Sequence, residues 1–236
     1  NYFYGYEVEG IYQTQEEVNA DPIAVANGVQ PGFFKYKDQN GDKLLDEQDR
    51  VNLGSYLPKV YYGINLGVNY NNFDLSIFFQ GLGGNKILNI NRGLRQKFPD
   101  MNGDEEFVTS LWTGPGSTNE FPSAFATTQT WNNNASSFYV ENGSYLRLQN
   151  VQIGYNFKLG NQDNSASFRV YATADRPLIW SRYSGITPEV TSPGRLPKDR
   201  PAVAERVQAT QVSSYGYDQN VYPTTAVYTI GVRITY

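Results

Sequence analysis

The chain has 236 residues, of which 39% are hydrophobic and 15% aromatic, and its formal net charge at pH 7 is −4. It contains no cysteine and no histidine, which excludes thiol catalysis, Cys/His zinc sites and Ser-His-Asp triads. The sequence has no Lys/Arg stripe to neutralise phosphates, which argues against nucleic acid as a partner. No apolar run reaches the roughly 18 residues of a membrane-spanning helix, and the composition is typical of a β-protein.

Residues 1–57 are predicted to be a loop region that contains an Asp-rich stretch, "DQNGDKLLDEQDR" (38–50). Its spacing fits a twelve-residue calcium loop, which binds a structural Ca²⁺ through oxygen ligands. The predicted ligands are Asp38, Asn40, Asp42, Leu44 through its backbone carbonyl, Asp46 and Asp49. Unlike an EF-hand, the stretch has Lys43 in place of the glycine at position 6 and Asp49 in place of the final Glu. The alternative is a solvated turn held by hydrogen bonds between side chains and backbone.

The first clear strand pattern lies in residues 58–82. In "YYGINLGVNY" (61–70) apolar side chains alternate with Gly and Asn, and in "FDLSIFFQG" (73–81) they alternate with Asp, Ser and Gln. Period-2 alternation predicts strands with one apolar face. The two-residue connection Asn71-Asn72 predicts a tight hairpin.

The rest of the chain alternates between long polar segments and strands. Residues 83–143 form a long loop rich in Asn, Gly, Pro and Thr, residues 144–180 a strand pair, residues 181–221 a second long loop, and residues 222–236 a terminal strand. Leu146 and Leu148 lie out of phase with the alternation that begins at Val151. This change of phase predicts a bulge near Gln149-Asn150.

Long loops at one end of the strands and short turns at the other are typical of outer-membrane barrels, whose strands have about 9–11 residues. We therefore predict an all-β fold, namely about five strands of an antiparallel transmembrane β-barrel, with the long loops extracellular and the C-terminus periplasmic. Five strands cannot close a cylinder in lipid, so the other strands must come from elsewhere, most simply from the rest of the same polypeptide. The alternative fold is a soluble β-sandwich.

The terminal strand, "VYTIGVRITY" (227–236), alternates apolar and polar residues and ends in an aromatic residue. This pattern fits the sorting signal of outer-membrane proteins. The predicted signal residues are Tyr228, Ile230, Val232, Ile234 and Tyr236. The alternative is an ordinary strand at the end of the sequence.

Several long motifs resemble, in order and spacing, the C-terminal portion of SusC-like TonB-dependent outer-membrane transporters. They are "GYEVEGIYQTQEEV" (5–18), "QPGFFKYKDQNGDKLLDEQDRVNLGSYLPKVYYGINLGVNYNNFDLSIFFQGLGGNKI" (30–87), "NGSYLRLQNVQIGY" (142–155), "YSGITPEV" (183–190) and "YTIGVRITY" (228–236). One departure from the family pattern is "ATADRPLIWSRYSG" (172–185), where Asp175, Arg176 and Pro177 interrupt the end of the fourth strand.

The resemblance implies a 22-stranded barrel with an N-terminal plug domain, which is absent from this chain. It also implies a region that binds TonB, a SusD-like surface lipoprotein as partner, and import of glycan oligomers or peptides. One alternative is a structural or assembly subunit of a larger outer-membrane complex, and a second is a soluble calcium-dependent carbohydrate-binding module. No catalytic residues are predicted. Aromatic residues at strand ends fit an interfacial girdle, and candidates for sugar stacking are Trp112, Trp131, Phe138 and Tyr183.

Overall fold

The computed structural model describes residues 2–89, 92, 105–159, 166–190, 216–218, 221 and 224–235. The chain divides into two compact units. We call them the loop unit (Asn1–Leu57, Lys86–Glu141 and Val190–Val221) and the strand unit (Pro58–Asn85, Asn142–Glu189 and Tyr222–Tyr236). Among the described residues, no helix is both long enough and apolar enough to cross a membrane.

Most of the regular structure is β-strand. The described strands, in chain order, are β1 (Tyr2–Tyr6), β2 (Val8–Ile11), β3 (Phe34–Tyr36), β4 (Arg50–Ser55), β5 (Val60–Tyr70), β6 (Phe73–Gly83), β7 (Lys86–Asn89), β8 (Val140–Asn142), β9 (Tyr145–Leu159), β10 (Ala166–Ser181), β11 (Tyr217–Asp218) and β12 (Val227–Thr235). The described α-helices are short: α1 (Gln15–Ala20), α2 (Pro22–Ala26) and α3 (Glu105–Ser110). Single 3-10 turns lie at Glu47–Asp49, Ala126–Thr128, Trp131–Asn133 and Ser137–Tyr139.

The strand unit is an antiparallel sheet in the order β5-β6-β9-β10-β12, so each strand pairs with the next one of the unit along the chain. β5 and β6 pair from Val60 opposite Gly83 to Tyr70 opposite Phe73. Asn71, in the turn between them, has a φ of 52°, a left-handed conformation that tight hairpins require and that Asn tolerates. The hairpin lies where the alternation predicted it.

The sheet contains two bulges at the same level. Phe78 and Phe79 of β6 face Asn150 and Leu148 of β9, so Gln149 is the extra residue and the predicted bulge is confirmed. It moves Leu148 onto the face that carries Phe79.

The second bulge lies in β10, where Arg176 and Pro177 stand opposite Gln149. Arg176 has a φ of 53°, and pairing with β9 resumes at Leu178 and continues to Ser181. The Asp-Arg-Pro sequence therefore interrupts the fourth strand only locally, because a bulge accommodates a Pro that cannot donate to the ladder.

The register brings the predicted apolar residues of all five strands onto one face. One row crosses the sheet through Val68, Leu75, Ile153, Ala172 and Ile230. The side chains on this face are largely uncovered, and Ile230 is 83% exposed. An apolar face spanning strands of this length is the surface that a barrel presents to lipid.

The loop unit has its own hydrophobic core, although the sequence analysis treated its segments as loops. Phe34 and Phe138 lie in one buried cluster with ring centroids 4.8 Å apart. A second buried cluster consists of Tyr12, Val18, Ala24, Val29, Phe33 and Ala126. Residues from the first 36 positions thus pack against residues from the 121–139 region, so these two predicted loops form one body.

The first two helices, α1 and α2, each begin with a side chain that caps the N-terminus. Thr14 accepts a hydrogen bond from the Glu17 backbone N–H at the start of α1, and Asp21 caps α2 just before Pro22. The Tyr12 hydroxyl donates to Asp21 Oδ2 at 2.5 Å. Burial of Tyr12, together with this bond, raises the pKa of its phenol. These caps satisfy backbone groups that a short helix leaves unpaired.

Candidate functional site

The polar face of the strand unit carries an ion pair that crosses a whole strand. Asp74 on β6 and Arg169 on β10 pair over the intervening strand β9. Arg169 Nε donates to Asp74 Oδ1 at 3.1 Å, and a second hydrogen bond joins Arg169 Nη2 to Asp74 Oδ2. Asn156 Nδ2 also donates to Asp74 Oδ1, at 2.9 Å. Bidentate pairing with a third donor fixes the geometry of both charged groups.

Gly154 is the residue of β9 over which this pair lies. A Cβ atom at Gly154 would be 2.6 Å from Asp74 Oδ1 and 2.7 Å from Arg169 Nε. At such distances the Asp74 carboxylate or the Arg169 guanidinium would have to move. The glycine therefore leaves room for the two charged groups to meet in this geometry.

On the neighbouring strand pair, β10 and β12, a large side chain again lies over a glycine. The Tyr171 ring covers Gly231 of β12, where a Cβ atom would come within 2.4 Å of the phenol. The Arg169 guanidinium carbon lies 5.2 Å from the centroid of the Tyr171 ring. With its amide oxygen turned toward Arg169, Gln152 accepts hydrogen bonds from Nη1 and Nη2 at 3.0 and 2.9 Å. On the polar face, Arg169 therefore contacts Asp74, Gln152 and Tyr171 at once.

A second ion pair in the strand unit joins Arg147 of β9 to Glu189. Arg147 is only 5% exposed, and its Nη2 donates to Thr224 Oγ1 at 3.1 Å. Because a buried guanidinium without a partner would be costly, these contacts fix the segment around Glu189 against β9. Glu189 falls within the predicted loop 181–221, and no sequence pattern around it indicates a partner.

The Asp-rich stretch forms a series of turns in which carboxylates accept backbone hydrogen bonds. Asp38 Oδ2 accepts from the Lys43 N–H at 2.9 Å and Asp38 Oδ1 from the Gly41 N–H at 2.7 Å. These hydrogen bonds, that from Lys43 foremost, lower the pKa of the Asp38 carboxyl. Lys43 has a φ of 66°, so it adopts the left-handed conformation for which a calcium loop commonly uses glycine.

The other predicted side-chain ligands also have protein partners. Asp42 Oδ1 accepts from the Leu44 N–H at 2.8 Å, and Asp42 Oδ2 accepts from Asn40 Nδ2 at 2.9 Å. Asp46 and Asp49 form a capping box around the turn Glu47–Asp49, and Asp49 is fully buried. Across the described part of the chain, no group of three or more acidic side chains is arranged to hold a metal ion. The calcium site stays a prediction.

The predicted sorting signal lies on β12, an edge strand of the sheet. Tyr228, Ile230, Val232 and Ile234 lie on one face and are exposed. Arg233 is on the opposite face, level with Arg169 of β10. The fifth predicted residue, Tyr236, lies outside the described residues.

The four candidate stacking aromatics differ in accessibility. Phe138 and Tyr183 are buried, whereas Trp112 and Trp131 are half-buried. Trp131 lines an open groove in the loop unit together with Phe125, a residue that the sequence analysis did not select. Phe125 is a candidate because its side chain is exposed on the folded surface. No sequence pattern around Phe125 indicates that exposure.

A five-stranded antiparallel meander with one apolar face and one hydrogen-bonded polar face is the wall of a transmembrane β-barrel. No family model matches the chain. Curated relatives and solved structures, however, agree with this class of protein.

The chain is 32% identical to the TonB-dependent receptor P26 of Formosa agariphila, over 99% of this chain and 22% of that protein. It is 23% identical to the TonB-dependent receptor SusC of Bacteroides thetaiotaomicron, over 98% of this chain and 20% of that protein. Among solved structures, it matches the RagAB peptide importer in its open-open state with a TM-score of 0.68 and 20% identity, covering 100% of this chain and 22% of the other.

The chain belongs to the SusC-like family of TonB-dependent receptors, which are outer-membrane proteins. It spans about a fifth of the length of the curated relatives that it matches. The relatives are receptors and transporters rather than enzymes. Family membership argues against the alternatives of a soluble β-sandwich and a soluble carbohydrate-binding module.

Proposed function

We propose that the protein to which this chain belongs is an active importer of the outer membrane, driven through TonB, that takes up glycan oligomers or peptides. The observation that carries this proposal is the two-faced sheet, with the row through Ile153 apolar and the row through Gly154 polar. A barrel wall with these faces separates lipid from an interior in which hydrophilic oligomers can move. The names of the relatives, a SusC receptor and a peptide importer, support the same function.

The proposed topology places residues 1–57, 83–143 and 181–221 outside the cell and the C-terminus in the periplasm. The two-residue turn at Asn71-Asn72 would then be periplasmic, as short turns are in such barrels. In this arrangement β5 and β12, the two edge strands of the described sheet, pair with strands elsewhere in the same barrel. The plug domain and the segment that contacts TonB also belong to the remainder of the protein.

A SusD-like lipoprotein is the proposed partner on the extracellular side. The loop unit supports this role because it is a compact body with its own core rather than a set of solvated loops. A folded body provides a defined surface for a partner. Within it, we propose that the Asp-rich stretch binds a structural Ca²⁺ through Asp38, Asn40, Asp42, the Leu44 carbonyl, Asp46 and Asp49, a role supported by their order and by the left-handed backbone at Lys43.

The experiment that tests import uses the complete protein in its source organism. Deletion of its gene should abolish uptake of a fluorescently labelled oligosaccharide or peptide, and the intact gene should restore it. A version lacking only the TonB-binding segment should be inserted normally but fail to restore uptake. Normal uptake with that version would contradict active import and favour the alternative, a structural or assembly subunit. Copurification with a surface lipoprotein tests the partner separately.

A further inference from the structure

The loop unit contains an open groove of about 380 Å³. This volume falls within the range of about 300–1,000 Å³ that is typical of small-molecule sites. The groove lies between the end of α2 and the 3-10 turns Ala126–Thr128 and Trp131–Asn133. All of its lining residues belong to the loop unit.

One wall of the groove is aromatic. Phe125 is 56% exposed, and its ring centroid lies 6.1 Å from that of the buried Phe33. Trp131 is held in place because its indole N–H donates to the Phe34 carbonyl at 2.7 Å. An exposed ring held by a buried one is a rigid platform, and its negative face attracts the C–H groups of a ligand.

The polar residues of the groove are amides and a threonine, and none of the described residues that line it is charged. The side-chain amides of Gln30 and Asn134 make no hydrogen bond with other described residues. Asn27 Nδ2 donates to the Ile23 carbonyl at 2.8 Å, which leaves the Asn27 amide oxygen as an acceptor. Each amide offers both donors and an acceptor, which suits hydroxyl groups that also donate and accept.

We propose that this groove binds an uncharged pyranose unit of an oligosaccharide. A pyranose presents a C–H face to Phe125 and hydroxyls to Gln30 and Asn134. A charged sugar would find no oppositely charged group among the lining residues. A peptide would find no strand edge to pair with, because helix ends and turns form the groove, so the backbone pairing that commonly binds extended peptides is unavailable.

Binding of a sugar in the groove requires only the residues that line the groove. Its use in uptake rests on the proposed import function. The two proposals can therefore fail separately. A receptor that binds sugar in the groove but imports nothing would contradict only the proposed function. Normal uptake without binding at Phe125 would contradict only this inference.

The experiment measures binding by isothermal titration to the full-length receptor purified in detergent. The neutral probes are maltohexaose, xylohexaose and laminarihexaose, and the comparison probes are a galacturonate hexamer and an uncharged hexapeptide. Phe125→Ala should weaken binding of the best neutral probe at least fivefold, and Gln30→Ala should weaken it by a smaller factor. Phe125→Tyr, which keeps an aromatic ring at this position, should bind the probe as the unmodified receptor does. The matched control is Tyr4→Ala, because Tyr4 is 63% exposed in the same unit but does not line the groove.

Binding of a neutral probe that Phe125→Ala weakens and Tyr4→Ala leaves intact would support the proposal. Three results would overturn it: no binding of any neutral probe by the unmodified receptor, equal binding by the receptor and its Phe125→Ala variant, or a stronger effect of Phe125→Ala on the acidic hexamer or the peptide. Normal folding of each variant is verified by its heat-modifiable mobility in gels.

Discussion

Asp74 and Arg169 lie on strands that are not neighbours, yet they form an ion pair because the strand between them presents Gly154. The pair joins three strands at one point of the polar face. The side chains of Asp74 and Arg169 are 24% and 19% exposed, respectively. An ion pair shielded to this extent is screened less by salt than one at the surface.

Gly154→Ala should destabilise the barrel by about 1–3 kcal/mol, the usual cost of an added methyl group where there is no space. The new Cβ would displace the Asp74 carboxylate or the Arg169 guanidinium. Gly67→Ala is the matched control. Gly67 lies on the same face of the sheet, and apart from its chain neighbours no described residue comes within 4 Å of an added Cβ atom. The measurement is urea unfolding of the full-length protein, followed by heat-modifiable gel mobility. Equal stability of the two variants would contradict this account of Gly154.

The ion pair itself can be measured with a double-mutant cycle. Asp74→Ala and Arg169→Ala should each destabilise the protein, and the double variant should lose less than the sum of the two. The expected coupling is about 0.5–3 kcal/mol, as for residues in direct contact. Asn65→Ala combined with Arg169→Ala provides the comparison, because Asn65 is also on the polar face but is not a partner of Arg169. If the losses in unfolding free energy for Asp74→Ala and Arg169→Ala are additive, the contact between the two side chains contributes little to stability.

The two faces of the terminal strand should differ in tolerance to charge. Val232→Lys should cost roughly 2–4 kcal/mol if the side chain faces the middle of the bilayer. Arg233→Lys, on the other face, should be nearly silent. Both are measured by insertion into outer membranes and by urea unfolding of the inserted protein. Equal tolerance at the two positions would contradict the assignment of the apolar face to lipid.

The calcium prediction can be tested by limited proteolysis of the full-length receptor. Chelator should make the stretch 38–49 easier to cleave, and Asp42→Asn should remove this dependence on chelator. Asp42 suits the test because Asn can still accept the Leu44 N–H. Asp49 is a poorer choice, because it is buried and its carboxylate accepts hydrogen bonds from the Gln39 and Asp46 backbones, so its replacement would also disturb the fold. Identical digestion of the unmodified protein with and without chelator would exclude calcium.

Local patterns in the sequence were sufficient to predict the five strands of the strand unit, its hairpin turn, the bulge near Gln149 and the apolar face, but not the short strands of the loop unit. These features depend on period-2 alternation and on turn chemistry, which act between residues close in sequence. The motifs also identified the family, which the relatives confirm. The sequence did not reveal that Pro177 would be accommodated within β10, because that depends on the pairing of β10 with β9.

Only the tertiary structure determined which distant residues meet. Phe34 donates its backbone N–H to Asn132 at 2.7 Å across 98 residues, and this buried bond helps make one body of two segments that look like loops. Asp74 and Arg169, 95 residues apart, meet because of the register of β9 and the absence of a side chain at Gly154. The sequence alone therefore determined the alternation of each strand, whereas register and packing determined the ion pair and the groove, because both depend on contacts between segments far apart in the chain.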